Sequence, residues 1–485
     1  MIYDFNLFFK ITLIVAGAAL LTTCAQPGSD TDVKAKAGVE IKAAADISVA
    51  TPYKFLAISD IHYSNYQHSD SADKYCDKCE TTPELWAASK AKAIDIVAGE
   101  NPDFIIVTGD LPAHRKWRKT GVERSDIMFN IEKEFETIFS GLTEIADTSS
   151  VPVILVPGNN DSISGDYCSF KANVDDSRFN GRTPFDLAPN PSNWPVNNGA
   201  FIANVDDLSK GYYSIYPYGD PSGRASGTTM RIIVLNTVIF TRHYSDNYCD
   251  DEQQIDSNSQ LEWLSAELSD AESKEQKVLI AMHVPPGTDG FRSYGSMWSE
   301  DLFYTGGIIP NMDDQWVQDV FLTLVSGHES EIVGLLTGHT HLNGIRKIHS
   351  CSLPAAAEGT FIELAVSIPG ITTDHGNQPG IKLIHAGTDF ELMSSDTYFA
   401  TVHTGSAYDW ADSNVISFSE NYPCTGAACN GLSMLARTQS ILNSSGGEEQ
   451  LLSDMLQYLK LYPDRPSGRH NFATAINVHC YVQYP

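Results

Sequence analysis

Tyr53-Lys54-Phe55-Leu56-Ala57-Ile58-Ser59-Asp60-Ile61-His62 reads as an apolar strand that ends on two residues able to bind a cation. Four more segments repeat that design. Phe104 to Thr108 runs into Gly109-Asp110, and Val153 to Val156 leads to Gly158-Asn159-Asn160-Asp161. Val278 to Met282 runs into His283, and Ile332 to Thr337 into Gly338-His339-Thr340-His341. In an extended chain residues two apart point the same way, so Asp60 with His62, and His339 with His341, are expected to present their side chains to one cavity. The glycines ahead of Asp110, Asn159 and His339 suit tight turns and close backbone approach.

Helical patterns lie between these strands. Thr82-Pro83-Glu84 supplies an N-cap, a first-turn proline and an early carboxylate for a helix reaching Gly99. Met128, Ile131, Phe135, Ile138, Leu142 and Ile145 recur at helical spacing, and Gln260 to Leu268 is amphipathic around Trp263 and Leu264. Met230 to Leu235 and Phe361 to Val366 read as further strands. Strands interleaved with helices predict a layered α/β body whose sheets carry helices on their outer faces, with the active site where strands end. We place this body at residues 51–420. Leu432 to Leu442 and Gln450 to Leu461 read as helices bracketed by Cys424, Cys429 and Cys480, so residues 421–485 are expected to form a small helical C-terminal domain.

The start of the chain has a different character. Lys10, the apolar stretch Ile11 to Leu21 and then Thr22-Thr23-Cys24 have the order of a secretory signal, and Leu21 to Cys24 has the form of a lipobox whose cysteine becomes lipidated. Residues 1–24 are read as signal peptide and lipobox, and residues 25–50, rich in Ala, Asp, Lys and Gly, as a flexible tether. The product is expected outside the cytoplasm, either secreted or lipid-anchored at the envelope surface. Of nine cysteines, setting Cys24 aside leaves eight, an even number that suits disulfides in an oxidising compartment. The formal charge of −29 repels polyanions over most of the surface, so nucleic acid is not expected as a partner. One local exception is the run His114-Arg115-Lys116-Trp117-Arg118-Lys119, which is read either as a solvated loop or as a patch for a phosphate-bearing substrate through Arg115, Trp117 and Arg118.

Taken together and in this order, the five strand-end segments resemble the calcineurin-like metallophosphoesterase family, whose motifs run DxH, GD, GNH[DE], H and GHxH. The resemblance implies a two-sheet β-sandwich flanked by helices and a pair of divalent metals. Carried over residue by residue, Asp60, His62, Asp110 and His341 would hold one metal, and Asp110, Asn159, His283 and His339 the other, with Asp110 shared. Imidazole and carboxylate donors suit zinc first, with manganese or iron as alternatives. The purple acid phosphatase branch would need a tyrosine three residues after Asp110, where this chain has Ala113. Two metals about 3.5 to 4 Å apart activate a bridging water and neutralise charge on phosphoryl oxygens.

The chain departs from the motif at position 160, where the family's histidine is Asn160, which cannot act as a general acid. Asp161, which in the family orients that histidine, is left as a catalytic candidate or a plain turn residue. Gly109 to His114, His283-Val284-Pro285-Pro286-Gly287, Gly211 to Ser214, Ile233 to Thr237 and Gln260 to Leu264 resemble the acid sphingomyelinase-like branch over residues 52–420. In that branch the histidine matching His114 lies by the leaving group, so the resemblance makes His114 the proton donor. The implied activity is hydrolysis of a phosphodiester, either sphingomyelin or another phosphocholine-type lipid head group, or a nucleotide of the ATP or CDP-choline type. Acid sphingomyelinases carry a saposin domain ahead of the body, and the tether expected here is too short for one, which favours the soluble substrates. A metal-containing binding protein, inactive through Asn160, is the alternative of another class. The oligomeric state is not legible.

Overall fold

In the computed structural model, which describes residues 53–65, 79–114, 124–188, 194, 202–204, 208–218, 229–244, 252–287, 296–350, 360–374, 377–401, 408–422, 431–443 and 482–483, the strands form two mixed sheets. The expected leader and tether, the basic run from Arg115 to Lys119 and the helix expected at 450–461 lie outside these residues. Among the described residues no helix is long and apolar enough to cross a membrane.

The first sheet is centred on β1 (Tyr53–Ile58), β2 (Phe104–Val107) and β3 (Val153–Leu155), which pair in parallel in that order. The second contains β4 (Ile202–Asn204), β5 (Tyr213–Ile215), β6 (Met230–Leu235), β7 (Lys277–Met282) and β8 (Ile332–Thr337), with β6, β7 and β8 parallel. β9 (Ile345–His349) and β10 (Phe361–Ser367) extend the second sheet, while β11 (Gly380–Ala386), β12 (Leu392–Phe399) and β13 (Val415–Ser417) extend the first. β10 runs parallel to β8, and β9, β11, β12 and β13 pair antiparallel to their neighbours.

Side-chain alternation assigns the two faces. On β7, Leu279 and Ala281 join the core shared by the two sheets, whereas Val278, Ile280 and Met282 join a second core on the outer face. That outer core is covered by α3 (Gln253–Ser273) and α4 (Val317–Gly327), through Leu261, Leu264 and Leu268 on the one and Val317, Val320, Phe321 and Leu324 on the other. On β8 the alternation slips at Gly334, where the register with β7 shifts by a bulge. The first sheet is covered by α1 (Pro83–Glu100) and α2 (Arg124–Asp147), whose Ile131, Phe135, Ile138, Leu142 and Ile145 form the periodic stripe seen in the sequence. Thr82 caps α1 as its side chain accepts from Leu85 N at 3.2 Å.

Beyond residue 421 the described helix α5 (Met434–Leu442) packs into the shared core through Met434 and Ile441. The short strand β14 (Val482–Gln483) pairs antiparallel with β9. These segments of residues 421–485 therefore share the core and the second sheet of the body.

Candidate metal centre

Each proposed ligand sits just past the carboxyl end of a parallel strand: Asp60 and His62 after β1, Asp110 after β2, Asn159 after β3, His283 after β7, His339 and His341 after β8. Strands that run the same way leave all these ends on one edge of the two sheets. Six of the seven residues are buried, and His339 is half-buried.

The side chains converge by a route the sequence reading did not foresee. Asp60, His62, Asp110, His339 and His341 are not extended: their φ angles are +46°, +46°, +57°, +68° and +58°. Left-handed backbone at a residue with a Cβ costs on the order of 1–3 kcal/mol and persists only where surrounding contacts hold it. Those contacts are visible. His62 N donates to Asp110 O at 3.0 Å and Tyr63 N to Leu111 O at 2.9 Å, so the β1–β2 pairing runs on past both strands. His339 N donates to both Asp60 carboxylate oxygens at 3.1 Å, tying the second sheet to the first. The expected close approaches are also present. A methyl group on Gly109 would fall 2.6 Å from Gly158 N, and one on Gly158 only 2.2 Å from Asp110 N.

Among the described residues the expected ligands form two clusters, and His62 also groups with Glu80 and His114. In each of Asp60–His62–His341 and Asp110–His283–His339, one donor atom per residue lies within 4.8 Å of the others. Asp110 joins them, with Oδ2 at 3.4 Å from His62 Nε2 and Oδ1 at 3.3 Å from His283 Nε2. Asp60 Oδ1 lies 3.4 Å from His341 Nε2.

The donors are set for a cation. His283 Nδ1 donates to Thr108 O at 2.6 Å, so its Nε2 faces inward toward Asn159 Oδ1 at 3.1 Å. Asn159 Nδ2 donates to Asp166 Oδ1 at 2.8 Å, which aims its carbonyl oxygen at His283 and at His339 Nδ1, 2.9 Å away. His283 already donates from Nδ1 to Thr108 O, so its Nε2 at 3.1 Å from that carbonyl oxygen calls for a second proton or a metal ion, whereas a neutral Nδ1–H suffices for His339. Burial opposes a proton on His283, but the charges of Asp110 and Asp60 outweigh it and push the imidazole up to about 9. Burial likewise raises Asp110, yet His283 and His62 hold its carboxyl well below the ordinary range. Both ring nitrogens of His62 are buried without a hydrogen-bond partner, as a metal ligand's Nε2 would be in the apo protein. The residues fit a pair of divalent ions.

The three candidates beside these ligands differ. Asn160 is buried and turned onto Asp110: its backbone N donates to Oδ1 and its Nδ2 to Oδ2, both at 2.8 Å. Asp161 accepts from Gly158 N at 2.6 Å, Leu111 N at 2.7 Å and Asp110 N at 3.0 Å, so it stitches two ligand loops together and is more than a plain turn residue. Its carboxyl is pushed up to about 6 by burial and by Asp110. His114 stacks on His62 with ring centroids 4.4 Å apart and retains about a third of its side-chain exposure, at 32%. Arg115, Trp117 and Arg118 lie outside the described residues.

Sequence reading missed three residues here. Glu80 contacts both His114 and His62, Asp166 fixes Asn159, and the Tyr167 ring meets His339 edge-on at 6.5 Å between centroids. None has ligand spacing. Asp166 lies seven residues past Asn159 in a loop, and only its proximity in sequence to the third motif hinted at it.

Comparison with known proteins adds to this geometry. Residues 53–343 match the family model described as Calcineurin-like phosphoesterase. The chain is 24% identical over 306 residues to Sphingomyelin phosphodiesterase 2 of Caenorhabditis elegans, covering 62% of this chain and 41% of that protein. It is 25% identical over 389 residues to Acid sphingomyelinase-like phosphodiesterase 3b of Homo sapiens, covering 74% and 73%. A third relative, a Cyclic GMP-AMP phosphodiesterase of Homo sapiens, is 25% identical over 176 residues, covering 35% and 34%. The chain spans less than half the length of the nematode relative.

Proposed function

The chain belongs to the calcineurin-like phosphoesterase family, in its acid sphingomyelinase-like branch, and from that membership we propose that it is an exported phosphodiesterase working with two divalent metals. The observation that carries this reading is the pair of clusters joined by Asp110 and drawn from four strand ends, with Asn159 from a fifth against His283 and His339. Asp60, His62, Asp110 and His341 would hold one ion, and Asp110, Asn159, His283 and His339 the other. Zinc is the proposed metal, with manganese and iron as alternatives. When bound, such a pair supplies a nucleophile at neutral pH and neutralises charge on the phosphoryl oxygens.

The protein's own residues do the rest. Asn160 holds Asp110 by two hydrogen bonds and donates no proton to a leaving group. His114, whose Nδ1 donates to Glu80 Oε1 at 2.9 Å, is the proposed donor of a proton to the departing alkoxide. Burial disfavours its protonated form, but the hydrogen bond and charge of Glu80 outweigh this and push the imidazole up to about 9. The signal-like segment before Cys24 supports export, and the even count of remaining cysteines supports disulfides.

The proposed substrate is a phosphocholine-type diester, as the relatives' names suggest. A nucleotide diester is the second reading, supported by the human Cyclic GMP-AMP phosphodiesterase and by the basic run after His114. The test is a substrate panel on protein of measured metal content, comparing sphingomyelin micelles, CDP-choline and ATP. Asp110→Asn is expected to lower metal content and cut turnover by about 10³-fold or more, several kcal/mol of lost charge stabilisation. Wild-type protein that carries two ions and turns over no faster than Asp110→Asn on any substrate would be a binding protein.

A further inference from the structure

Glu80 is a buried carboxylate with no part in the motifs, 6% exposed in a segment just ahead of α1. Its Oε1 accepts from His114 Nδ1 at 2.9 Å and from His114 N at 3.1 Å, so side chain and backbone of one residue are held by one atom. Its Oε2 faces His62 Nδ1 at 3.6 Å. The segment carrying Glu80 is itself fixed. Thr81 N donates to His62 O and Ser64 N to Thr81 O, both at 3.0 Å. On the other side Cys79 N donates to Thr373 Oγ1 at 3.3 Å, and the Thr372 hydroxyl to Cys79 O at 3.1 Å. A carboxylate whose segment is tied on one side to the loop after β1 and on the other to the loop between β10 and β11 has little freedom to follow a moving ring.

We propose that Glu80 is a positioning residue that fixes the orientation of the His114 ring through its Nδ1–H and backbone N–H, and so acts on turnover through His114. This rests on the reading of His114 as proton donor given above. The two carboxylate oxygens divide between the rings, Oε1 accepting both His114 hydrogen bonds and Oε2 facing His62, so metal content is measured in every variant. Partners that orient metal-ligating imidazoles cost about 10–100-fold when removed, and a loss of that order is expected here.

The test uses the full chain at measured metal content and two phosphocholine esters, one with a nitrophenyl and one with an alkyl leaving group. Glu80→Ala is expected to keep its metal, slow the alkyl ester by about 10–100-fold and leave the nitrophenyl ester near wild type. Glu80→Gln is expected to recover part of that loss, since its amide oxygen still accepts from Nδ1. Glu80→Ala combined with His114→Ala should be no slower than His114→Ala alone, as two residues acting through one group are not additive. A separate readout is the ¹⁵N spectrum of the His114 ring, whose Nδ1 should report a strong hydrogen bond in wild type that is lost in Glu80→Ala. Loss of metal from Glu80→Ala, equal slowing of both esters, or a full further loss in the double variant would overturn the proposal. If His114→Ala slows both esters equally, the proton-donor reading fails, and an unchanged ¹⁵N spectrum in Glu80→Ala would then reject the positioning role as well.

Discussion

The parallel and antiparallel halves of the sheets are built from different materials. β1, β2, β3, β7 and β8 are apolar nearly throughout and their carboxyl ends carry the metal-ligand candidates, in left-handed backbone after β1, β2 and β8. The antiparallel flank and the strand beside it bury polar groups instead: Arg346 and Lys347 on β9, Glu363 on β10, Lys382 on β11, and Ser395 and Thr397 on β12. No proposed ligand lies on these strands. Strands joined by crossover helices release their chain ends at one edge, so polar residues collect there and the strands themselves stay dry. Antiparallel neighbours offer no such shared edge, and their polar residues are absorbed singly within the sheet.

The largest effect should come from crowding the parallel edge. Gly158→Ala would place a methyl 2.2 Å from Asp110 N and 2.3 Å from its Oδ1, against backbone and against the carboxylate shared by both clusters. Overpacking of this kind costs about 1–3 kcal/mol, and here the shift falls on the ligands. Metal content is expected to drop below two ions per chain and turnover by more than about 100-fold. Gly344→Ala is the matched control, because a methyl there meets nothing within 4 Å although Gly344 lies three residues from His341. Equal losses in the two variants would erase the distinction between a strained edge and its surroundings.

A smaller effect should follow from cutting the stitch rather than crowding it. Asp161→Ala leaves the N–H groups of Asp110, Leu111 and Gly158 without their acceptor. Each buried donor so stranded costs about 1–3 kcal/mol before relaxation. The melting temperature should fall and turnover should drop about 10–100-fold, the range for residues that orient ligands. If melting falls while metal content and turnover hold, Asp161 supports the fold and has no bearing on the site.

The same contrast explains what could be read in advance. The strands ending at Ile58, Val107, Leu155, Met282 and Thr337 are short apolar runs, and the ligand candidates announced themselves by following them. The strands β9, β11 and β12 did not register, because Ile-Arg-Lys-Ile-His, Gly-Ile-Lys-Leu-Ile-His-Ala and Leu-Met-Ser-Ser-Asp-Thr-Tyr-Phe lack a clear apolar run or alternation. The ligands' left-handed conformations were also hidden, since Asp and His carry no backbone signal of the kind glycine gives. Glu80 and Asp166 act on the site from loops, through contacts that exist only after folding.

The smallest effect on turnover, and the one most specific to the antiparallel flank, is a pair of opposite pH dependences in stability. Burial pushes the Lys382 ammonium down to about 7 from its ordinary 10.5. Between those values the unfolded chain holds a proton that the folded chain has lost, so stability rises with pH across that window, and below it the full cost of a buried charge is present. Burial pushes the Glu363 carboxyl up to about 8 from 4.5, against the hydrogen bond from Leu364 N. There the folded chain keeps a proton the unfolded chain has lost, so stability falls as pH rises from 4.5 to about 8. Lys382→Met should therefore raise the melting temperature most near pH 6 and progressively less toward pH 10, and Glu363→Gln most above pH 8 and least near pH 4. Turnover should stay near wild type in both, because neither residue lies at the strand ends that carry the site. Melting curves taken across pH decide it: gains independent of pH would mean that these groups keep ordinary protonation inside the sheet, and the two halves would then differ in sequence pattern but not in electrostatics.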